Sequence, residues 1–326
     1  MAESLLQIEN LVTHYRTKRG VVQAVSGVSF QVNRGEAVGI VGESGCGKSA
    51  TGQSIIGLIE HPGRIISGNI RFKGEDLTKK SPVQMRRIRG AQISMIFQDP
   101  TTTLNPVFTI GDQIAELFKY HSELSSREAK ERVLAMLEQI GIPEPGKRYN
   151  DYPHEFSGGM QQRVVIACAL ILNPALVIAD EPTTALDVTV QAQILGLLQR
   201  LQAGDANTAI ILISHDLGVV AQMCQRVCVM YAGEIIEMSS TKTILESPKH
   251  PYTLGLIASI PKLDMEDKEL KPIPGMVADP INPPPGCKFH PRCPRAFERC
   301  HVERPTLKQH FKAHHIACHL FDGDGL

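Results

Sequence analysis

The sequence predicts an α/β fold with a mainly parallel sheet covered by helices, followed by a small irregular region at the C-terminal end. Short runs rich in Val and Ile, as buried strands require, occur at 36–41, 176–179 and 209–213. Stretches with apolar residues at helical spacing, 127–140 and 188–201, lie between these strand signals. Because strand and helix signals alternate, we expect parallel strands joined by helices.

Length and charge limit the functions that the chain can have. It has 326 residues, close to the upper limit for one hydrophobic core, so we expect one large domain with an appended piece. Its 34 basic residues balance 34 acidic ones, whereas charge-driven binding of nucleic acid needs an excess of Lys and Arg. Nucleic acid is therefore not expected as a partner. We find no export signal and no apolar run near the ~20 residues that span a bilayer, so any membrane role must come from a partner.

Proline and cysteine mark a boundary near residue 255. Nearly half of the 21 prolines follow it, and this density disfavours long helices or strands. Half of the eight cysteines also lie in this C-terminal region. We predict a domain over 1–255 and an extension over 256–326.

A glycine-rich loop follows the first predicted strand. Residues 42–49 read Gly-Glu-Ser-Gly-Cys-Gly-Lys-Ser and come directly after the apolar run 37–41. In this order of strand, loop and helix, glycines allow backbone N–H groups to surround a triphosphate. We predict that Lys48 contacts the β and γ phosphates and acts in catalysis, and that Ser49 ligates Mg²⁺. The predicted nucleotide-binding residues of this loop are Gly42, Ser44, Gly45, Cys46, Gly47, Lys48, Ser49 and Ala50.

Polar residues end two further predicted strands. Asp180 and Glu181 follow the apolar run 176–179, where carboxylates need charged or metal partners. We predict that Asp180 holds Mg²⁺ and that Glu181 orients the attacking water. His215, just beyond the run 210–213, is predicted to hydrogen-bond the γ-phosphate and that water. Together with the glycine-rich loop, these residues predict ATP hydrolysis.

A second glycine-rich segment begins a predicted helix. Residues 156–163 read Phe-Ser-Gly-Gly-Met-Gln-Gln-Arg, in which Ser157 can cap the helix while Gly158 and Gly159 leave amides bare. These three residues are predicted to bind phosphate. One triphosphate cannot use both glycine-rich sites of its own chain, so we expect the second to serve a nucleotide bound to another subunit.

The motifs resemble those of the ATP-binding subunits of ABC transporters, with Walker A at 42–49, Walker B ending at 180–181 and the signature at 156–160. The resemblance implies a P-loop NTPase cassette with a mainly parallel sheet core and an antiparallel β subdomain. It also implies an α-helical subdomain over about 99–170. In the signature, Met160 stands where the family usually has Gln.

The same resemblance assigns residues that lie outside the glycine-rich motifs. It implies that Gln98 is a catalytic glutamine that contacts Mg²⁺ and the membrane partner. It implies that Tyr15 stacks on adenine and that 185–187 form the D-loop. ATP and Mg²⁺ are the cofactors of this nucleotide site.

The run His250-Pro251-Tyr252-Thr253 and the proline-rich stretch after it resemble the extension of oligopeptide and dipeptide permease ATPases. This implies an ATPase that energises peptide import on the cytoplasmic side of the cell membrane. The implied partners are a second, F-type ATP-binding subunit in a heterodimer, two membrane permeases and an extracytoplasmic solute-binding protein. A nickel importer's ATPase would share every catalytic residue and stays an alternative. A non-transport ABC ATPase of DNA repair or chromosome organisation is a further alternative, although such proteins insert long coiled coils and this chain has no heptad run.

The extension has a group of cysteines that predicts a metal site. Cys287, Cys293, Cys300 and Cys318 are spaced too widely for the paired knuckles of most zinc fingers, yet they make a complete thiolate ligand set. Because the resembling extensions are associated with iron–sulfur clusters, we prefer a [4Fe-4S] cluster over tetrahedral Zn²⁺. Free structural thiols are the third interpretation. Several nearby histidines leave a mixed Cys/His zinc site open; they are His290, His301, His314, His315 and His319.

Overall fold

The computed structural model describes residues 4–183, 187–204, 207–259 and 272–323. In chain order its strands are β1 (Ser4–Thr17), β2 (Gly20–Asn33), β3 (Ala37–Val41), β4 (Gly63–Phe72), β5 (Glu75–Asp76), β6 (Ile93–Ile96), β7 (Leu176–Asp180), β8 (Ala209–Ser214), β9 (Arg226–Tyr231), β10 (Glu234–Ser240), β11 (Lys308–Phe311) and β12 (His314–Ile316). The predicted strands at 36–41, 176–179 and 209–213 are confirmed as β3, β7 and β8, and all three are fully buried.

Helices cover the sheets. In chain order they are α1 (Lys48–Ile56), α2 (Pro82–Ile88), α3 (Pro100–Thr103), α4 (Ile110–His121), α5 (Ser126–Gln139), α6 (Pro145–Arg148), α7 (Gly158–Leu170), α8 (Val188–Ala203), α9 (Leu217–Met223), α10 (Thr241–Glu246), α11 (Pro251–Ala258) and α12 (Glu298–Val302). The helices predicted from apolar spacing are confirmed as α5 and α8. Among the described residues, no helix combines the length and the apolar character needed to cross a bilayer.

The chain divides into two compact units. The first is built mainly of residues 79–212 together with 32–37, and the second of 6–31, 38–78 and the part from 213 onward.

The first unit holds the strand order β8-β7-β6 and the helices α3 to α7. β6 and β7 are parallel, with Ile93 opposite Leu176. Helices α4, α5 and α7 pack against one another. Their starts are set by capping: Thr109 accepts a hydrogen bond from the N–H of Asp112 at α4, and Ser125 caps α5.

The second unit holds an antiparallel sheet, β2-β1-β4-β5, and the strand order β11-β12-β10-β9-β3. β3 and β9 are parallel, whereas β9, β10, β12 and β11 pair antiparallel. The tight turn at Ala232-Gly233 joins β9 to β10, and a connection this short permits only antiparallel pairing. This part of the sheet is therefore less parallel than the sequence predicts.

The extension contributes the short strands β11 and β12 to the second unit. Glu237 on β10 lies opposite Ile316 on β12, and the N–H of Ala317 donates to the carbonyl of Ile236. Proline density in this region predicts little regular structure, but Pro305 is the last proline of the chain. The segment after it can therefore supply ladder hydrogen bonds.

Candidate functional site

The glycine-rich loop lies in the second unit between β3 and α1. Gly47 caps α1 in the left-handed region, at φ 102°. A Cβ on Gly47 would lie 2.1 Å from the carbonyl oxygen of Ala24, and one on Gly42 would lie 2.3 Å from that of Met230. Both positions therefore require glycine, because the backbone behind the loop leaves no room for a side chain.

Lys48 folds back over this loop. Its side chain is buried, and Nζ donates to the carbonyl oxygens of Gly42 at 2.8 Å and Glu43 at 3.1 Å. Ser44 and Gly45 are exposed, while Ser49 and Ala50 are half-buried in the first turn of α1. A buried ammonium beside a helix N-terminus without a side-chain cap favours an anion, as the sequence predicts for a phosphate site.

The back of the loop is supported by the turn between β9 and β10. The N–H of Gly233 donates to the carbonyl of Cys46 at 2.9 Å, and the N–H of Ser26 donates to the carbonyl of Gly233 at 2.8 Å. Cys46 is fully buried, and burial raises the pKa of its thiol. Its side chain therefore belongs to the core, so any contact with nucleotide would use its backbone.

Tyr15 lies on β1 beside α1. Its hydroxyl donates to Gln53 Oε1 at 3.4 Å, and burial raises its pKa, so the phenol stays neutral. The ring packs over Gly63 on β4, where a Cβ would lie 2.5 Å from it. Tyr15 is thus placed near the helix that follows the loop, while stacking on adenine stays a prediction.

His215 is exposed directly after β8. The residues on either side of it are held in place. Ser214 Oγ accepts a hydrogen bond from the N–H of Asp216 at 2.9 Å, and Asp216 in turn caps α9. His215 is therefore an exposed residue of a well-held turn at a strand end, where ligand sites of α/β folds occur.

In the first unit, two predicted catalytic residues lie in contact. Gln98 follows β6 and Glu181 follows β7, and Gln98 Nε2 donates to Glu181 Oε2 at 3.2 Å. The parallel pairing of β6 and β7 brings these strand ends together. Asp180, the last residue of β7, is a buried carboxylate, and Glu181 adopts a positive φ of 46°. A non-glycine residue held in this region is a feature often found at functional sites.

The signature segment begins α7 in the first unit. Ser157 caps the helix, and its Oγ accepts a hydrogen bond from the N–H of Met160 at 3.4 Å. Ser157 and Gly158 are exposed, and a Cβ on Gly158 would meet nothing within 4 Å. Gly159 is half-buried. The helix therefore presents an open N-terminal surface, as expected for a site that binds a phosphate from another molecule.

Gln162 on α7 is a residue that the sequence analysis missed. It is buried, and its Nε2 donates to the carbonyl of Pro182 at 3.0 Å, immediately after Glu181. Its Oε1 is buried and has no hydrogen-bond partner within the described ranges. A buried amide on an apolar helix face is the sequence signal that could have identified it.

Of the predicted D-loop, Ala185 and Leu186 lie outside the described residues. Asp187 caps α8, accepting a hydrogen bond from the N–H of Val190 at 2.9 Å.

The four cysteines of the extension line a single cavity, which His250, His290 and His319 also border. Burial raises the pKa of Cys287 to about 11 and that of Cys318 to about 12. Within the part of the chain that the structure describes, no three His, Cys, Asp or Glu side chains lie close enough together to hold a metal ion. The fold therefore brings the four predicted thiols to one cavity without placing them at metal-binding distances, and only the chemistry of their donor atoms fits a metal.

Glu43, Tyr252 and Arg292 meet at the loop, and sequence reasoning did not bring them together. Arg292 donates to Glu43 Oε2 at 2.7 Å and to Oε1 at 3.0 Å. The N–H of Glu43 donates to the hydroxyl of Tyr252 at 2.9 Å. The partners lie 249 and 209 residues from Glu43 along the chain, so no local pattern indicates these contacts.

Comparison with known proteins identifies similar sequences along almost the whole chain. Residues 25–184 match the ABC transporter family, and residues 236–300 match the oligopeptide/dipeptide transporter C-terminal region. The dipeptide transport ATP-binding protein DppD of Bacillus subtilis is 51% identical over 98% of this chain and 96% of the relative. The oligopeptide transport ATP-binding protein AppD of the same organism is 46% identical over 99% and 98%. DppD of Escherichia coli is 44% identical over 97% and 96%.

Solved structures agree with these sequence matches. The ATP-binding cassette MJ0796, in a dimeric post-hydrolysis state bound to ADP and Pi, is 28% identical with a TM-score of 0.66, covering 72% of this chain and 98% of that one. CbiO1 of Clostridium perfringens, part of the transporter complex cbiONQ, is 28% identical with a TM-score of 0.63, covering 75% and 92%. The chain has the fold of these cassettes, and it belongs to the ATPase subunits of ABC transporters, with the C-terminal region of the oligopeptide/dipeptide type.

Proposed function

We propose that this ATPase energises the import of dipeptides or oligopeptides. The match of residues 236–300 to the C-terminal region of oligopeptide/dipeptide transporters carries this proposal, because that region lies outside the part shared by ABC cassettes in general. The names of the relatives, which are dipeptide and oligopeptide transport ATP-binding proteins, support it.

The proposed chemistry gives each site residue the role that its sequence motif predicts. Lys48 and the loop amides bind the phosphates, and Ser49, Asp180 and Gln98 hold Mg²⁺. Glu181 orients the attacking water as the general base, and His215 contacts the γ-phosphate. The hydrogen bond between Gln98 and Glu181 supports a shared role at the site of hydrolysis.

The proposed assembly pairs this chain with a second, F-type cassette on the cytoplasmic side of the membrane. Two permeases span the bilayer, and a solute-binding protein delivers peptide to them from outside. The open start of α7 supports the pairing, since Ser157 and Gly158 are exposed and could contact a nucleotide on the other cassette. We propose 1–255 as the cassette, with 99–170 as its helical subdomain receiving the permeases, and 256–326 as the extension.

Transport in proteoliposomes tests this function. The chain is reconstituted with the F-type cassette and both permeases, and uptake of a labelled dipeptide is measured after addition of the solute-binding protein and ATP. We expect uptake that requires ATP and stops when Glu181→Gln replaces the wild-type chain. ATP-driven uptake of radioactive nickel without peptide uptake would contradict the proposal and favour a nickel importer.

We further propose that Cys287, Cys293, Cys300 and Cys318 hold a metal centre, with a [4Fe-4S] cluster preferred over Zn²⁺. Their position around one cavity supports this, as does the donor set of four thiols. When bound, the centre would cross-link an extension that has few apolar residues of its own.

Metal analysis of anaerobically purified protein tests this centre. We expect a brown protein with about four irons per chain and matching sulfide, as for one cubane cluster. Colourless protein with one tightly bound zinc would reject the cluster in favour of the tetrahedral site. The matched control is Cys168→Ser, because Cys168 is a half-buried cysteine that does not line this cavity, and this variant should leave the metal content unchanged.

A further inference from the structure

Glu43, the second residue of the phosphate-binding loop, is held at each of its polar groups. Its backbone N–H donates to Tyr252 Oη at 2.9 Å, and its carboxylate accepts both hydrogen bonds from Arg292. Its carbonyl oxygen accepts the hydrogen bond from Lys48 Nζ at 3.1 Å. Glu43, which contacts Lys48, is therefore held in place by the side chains of Tyr252 and Arg292, both from the C-terminal part of the second unit.

Arg292 is itself rigidly placed. Its side chain is only 4% exposed, and its Nε donates to the carbonyl of Pro274 at 2.9 Å. The guanidinium also lies over the rings of Tyr231 and Phe289, at 5.8 and 6.0 Å from their centroids. A planar guanidinium held in this way presents a preorganised pair of donors to a carboxylate. The ion pair with Glu43 is therefore a fixed support of the loop, unlike a flexible surface pair.

A second contact from the same segment supports the other end of the loop. Lys288 Nζ donates to the carbonyl of Ala232 at 2.7 Å and contacts Glu234 at 2.9 Å. The neighbouring Gly233 donates to the carbonyl of Cys46. Lys288 and Arg292 both lie between Cys287 and Cys293, the first two cysteines of the extension. Arg292 supports the beginning of the loop directly, through Glu43. Lys288 supports the end of the loop indirectly, through the turn at Ala232-Gly233.

We propose that Arg292 is a positioning residue for nucleotide binding, which acts on the phosphate-binding loop through Glu43. The inference rests on the nucleotide-site roles proposed above. Arg292 does not contact the nucleotide; it fixes the backbone that presents the loop amides and Lys48. Loss of the ion pair should therefore weaken ATP binding and leave the chemical step intact.

The first test measures the affinity of the isolated full-length chain for ATP by equilibrium dialysis. Arg292→Gln should raise the Kd by about tenfold, a size typical of losing a charge-assisted hydrogen-bonded pair. Arg292→Lys keeps the charge but loses the bidentate hydrogen bonding to the carboxylate, and it should raise the Kd by a smaller factor. The matched control is Arg299→Gln, which breaks a more exposed ion pair with Glu303 in the same extension and should leave the Kd unchanged.

The second test separates positioning from a general loss of structure. Glu43→Gln should raise the Kd as Arg292→Gln does, and the double variant should bind no more weakly than either single variant. The number of ATP sites per chain should stay constant, whereas misfolding would reduce that number. In the assembled transporter, Arg292→Gln should raise the KM for ATP with little change in kcat.

Wild-type affinity in folded Arg292→Gln and Glu43→Gln would overturn the proposal, as would additive effects in the double variant. A fall in kcat without a change in KM would also overturn it. Since ATP binding is measured without permeases or peptide, failure of the peptide-import proposal would leave this result standing.

Discussion

At the scale of single residues, Lys48 represents the glycine-rich loop and Glu181 represents the end of β7. Lys48 is buried, and its ammonium donates to carbonyl oxygens, which carry only partial charge. A phosphate would offer full negative charges to the same donor. Glu181 is half-buried beyond the end of β7 and in contact with Gln98, and we propose that it orients the attacking water there. We therefore expect that substitutions of Lys48 and Glu181 separate ATP binding from ATP hydrolysis.

Lys48→Ala should weaken ATP binding by at least about tenfold, because it removes the buried cation that we propose binds the phosphates. Equilibrium dialysis of the isolated chain measures the change. Lys242→Ala, which removes an exposed lysine paired with Glu246 on α10, is the matched control and should bind ATP normally. Equal affinities of the wild type and Lys48→Ala would reject the assigned role.

Glu181→Gln should retain ATP binding but reduce turnover by about two orders of magnitude or more, as expected for losing a general base. Phosphate release by the assembled transporter measures it. Glu131→Gln removes an exposed carboxylate on α5 and should hydrolyse ATP at the normal rate. Near-normal hydrolysis by Glu181→Gln would show that another group orients the water.

At the scale of elements, the start of α11 decides where Tyr252 lies. His250 caps this helix, with Nδ1 accepting a hydrogen bond from the N–H of Tyr252 at 3.0 Å. Burial lowers the pKa of His250 from 6.5 to about 3, so its ring is neutral in the folded protein. A protonated Nδ1 could not accept this hydrogen bond, so the cap depends on the neutral ring.

The cap predicts a pH dependence of stability. The unfolded chain takes up a proton below pH 6.5 and the folded ring does not, so the stabilisation is complete above 6.5 and falls as the pH drops towards 3. The loss has a limiting slope of about 1.4 kcal/mol per pH unit. Thermal unfolding between pH 7 and pH 5 measures it. His250→Asn keeps a capping acceptor without a titratable ring, so its Tm should fall less over this range. Parallel pH profiles of the two proteins would contradict the assignment.

At the scale of the whole molecule, the open start of α7 supports the proposal that this chain works together with a second cassette. Ser157 and Gly158 are exposed at this glycine-rich helix start, and we propose that it binds the phosphates of a nucleotide held by another molecule. The dimeric state in which the similar cassette MJ0796 was solved is consistent with such pairing.

The isolated chain should therefore hydrolyse ATP slowly, and the rate should rise when the F-type cassette and both permeases are present. Steady-state phosphate release with the components added singly and together measures this. Bovine serum albumin in place of the second cassette controls for non-specific stabilisation. Full activity of the monomer, responsive to peptide, would rule out the shared site.

The sequence by itself determined the local structure of the main motifs, because short-range rules govern it. The loop at 42–49, the strands that end at Asp180 and Ser214, and the helix that starts after Ser157 all follow from short-range rules of glycine conformation, apolar runs and capping. The resemblance of these motifs also predicted the transporter family, which the comparisons confirm.

Only the tertiary structure decided which distant side chains meet. It paired Gln98 with Glu181 across neighbouring strands, joined Glu43 to Arg292 and gathered the four cysteines around one cavity. Short-range sequence patterns fix the local path of the backbone, but contacts between distant residues depend on how strands and helices pack. The support of the phosphate-binding loop by the extension is a consequence of that packing, which no single motif encodes.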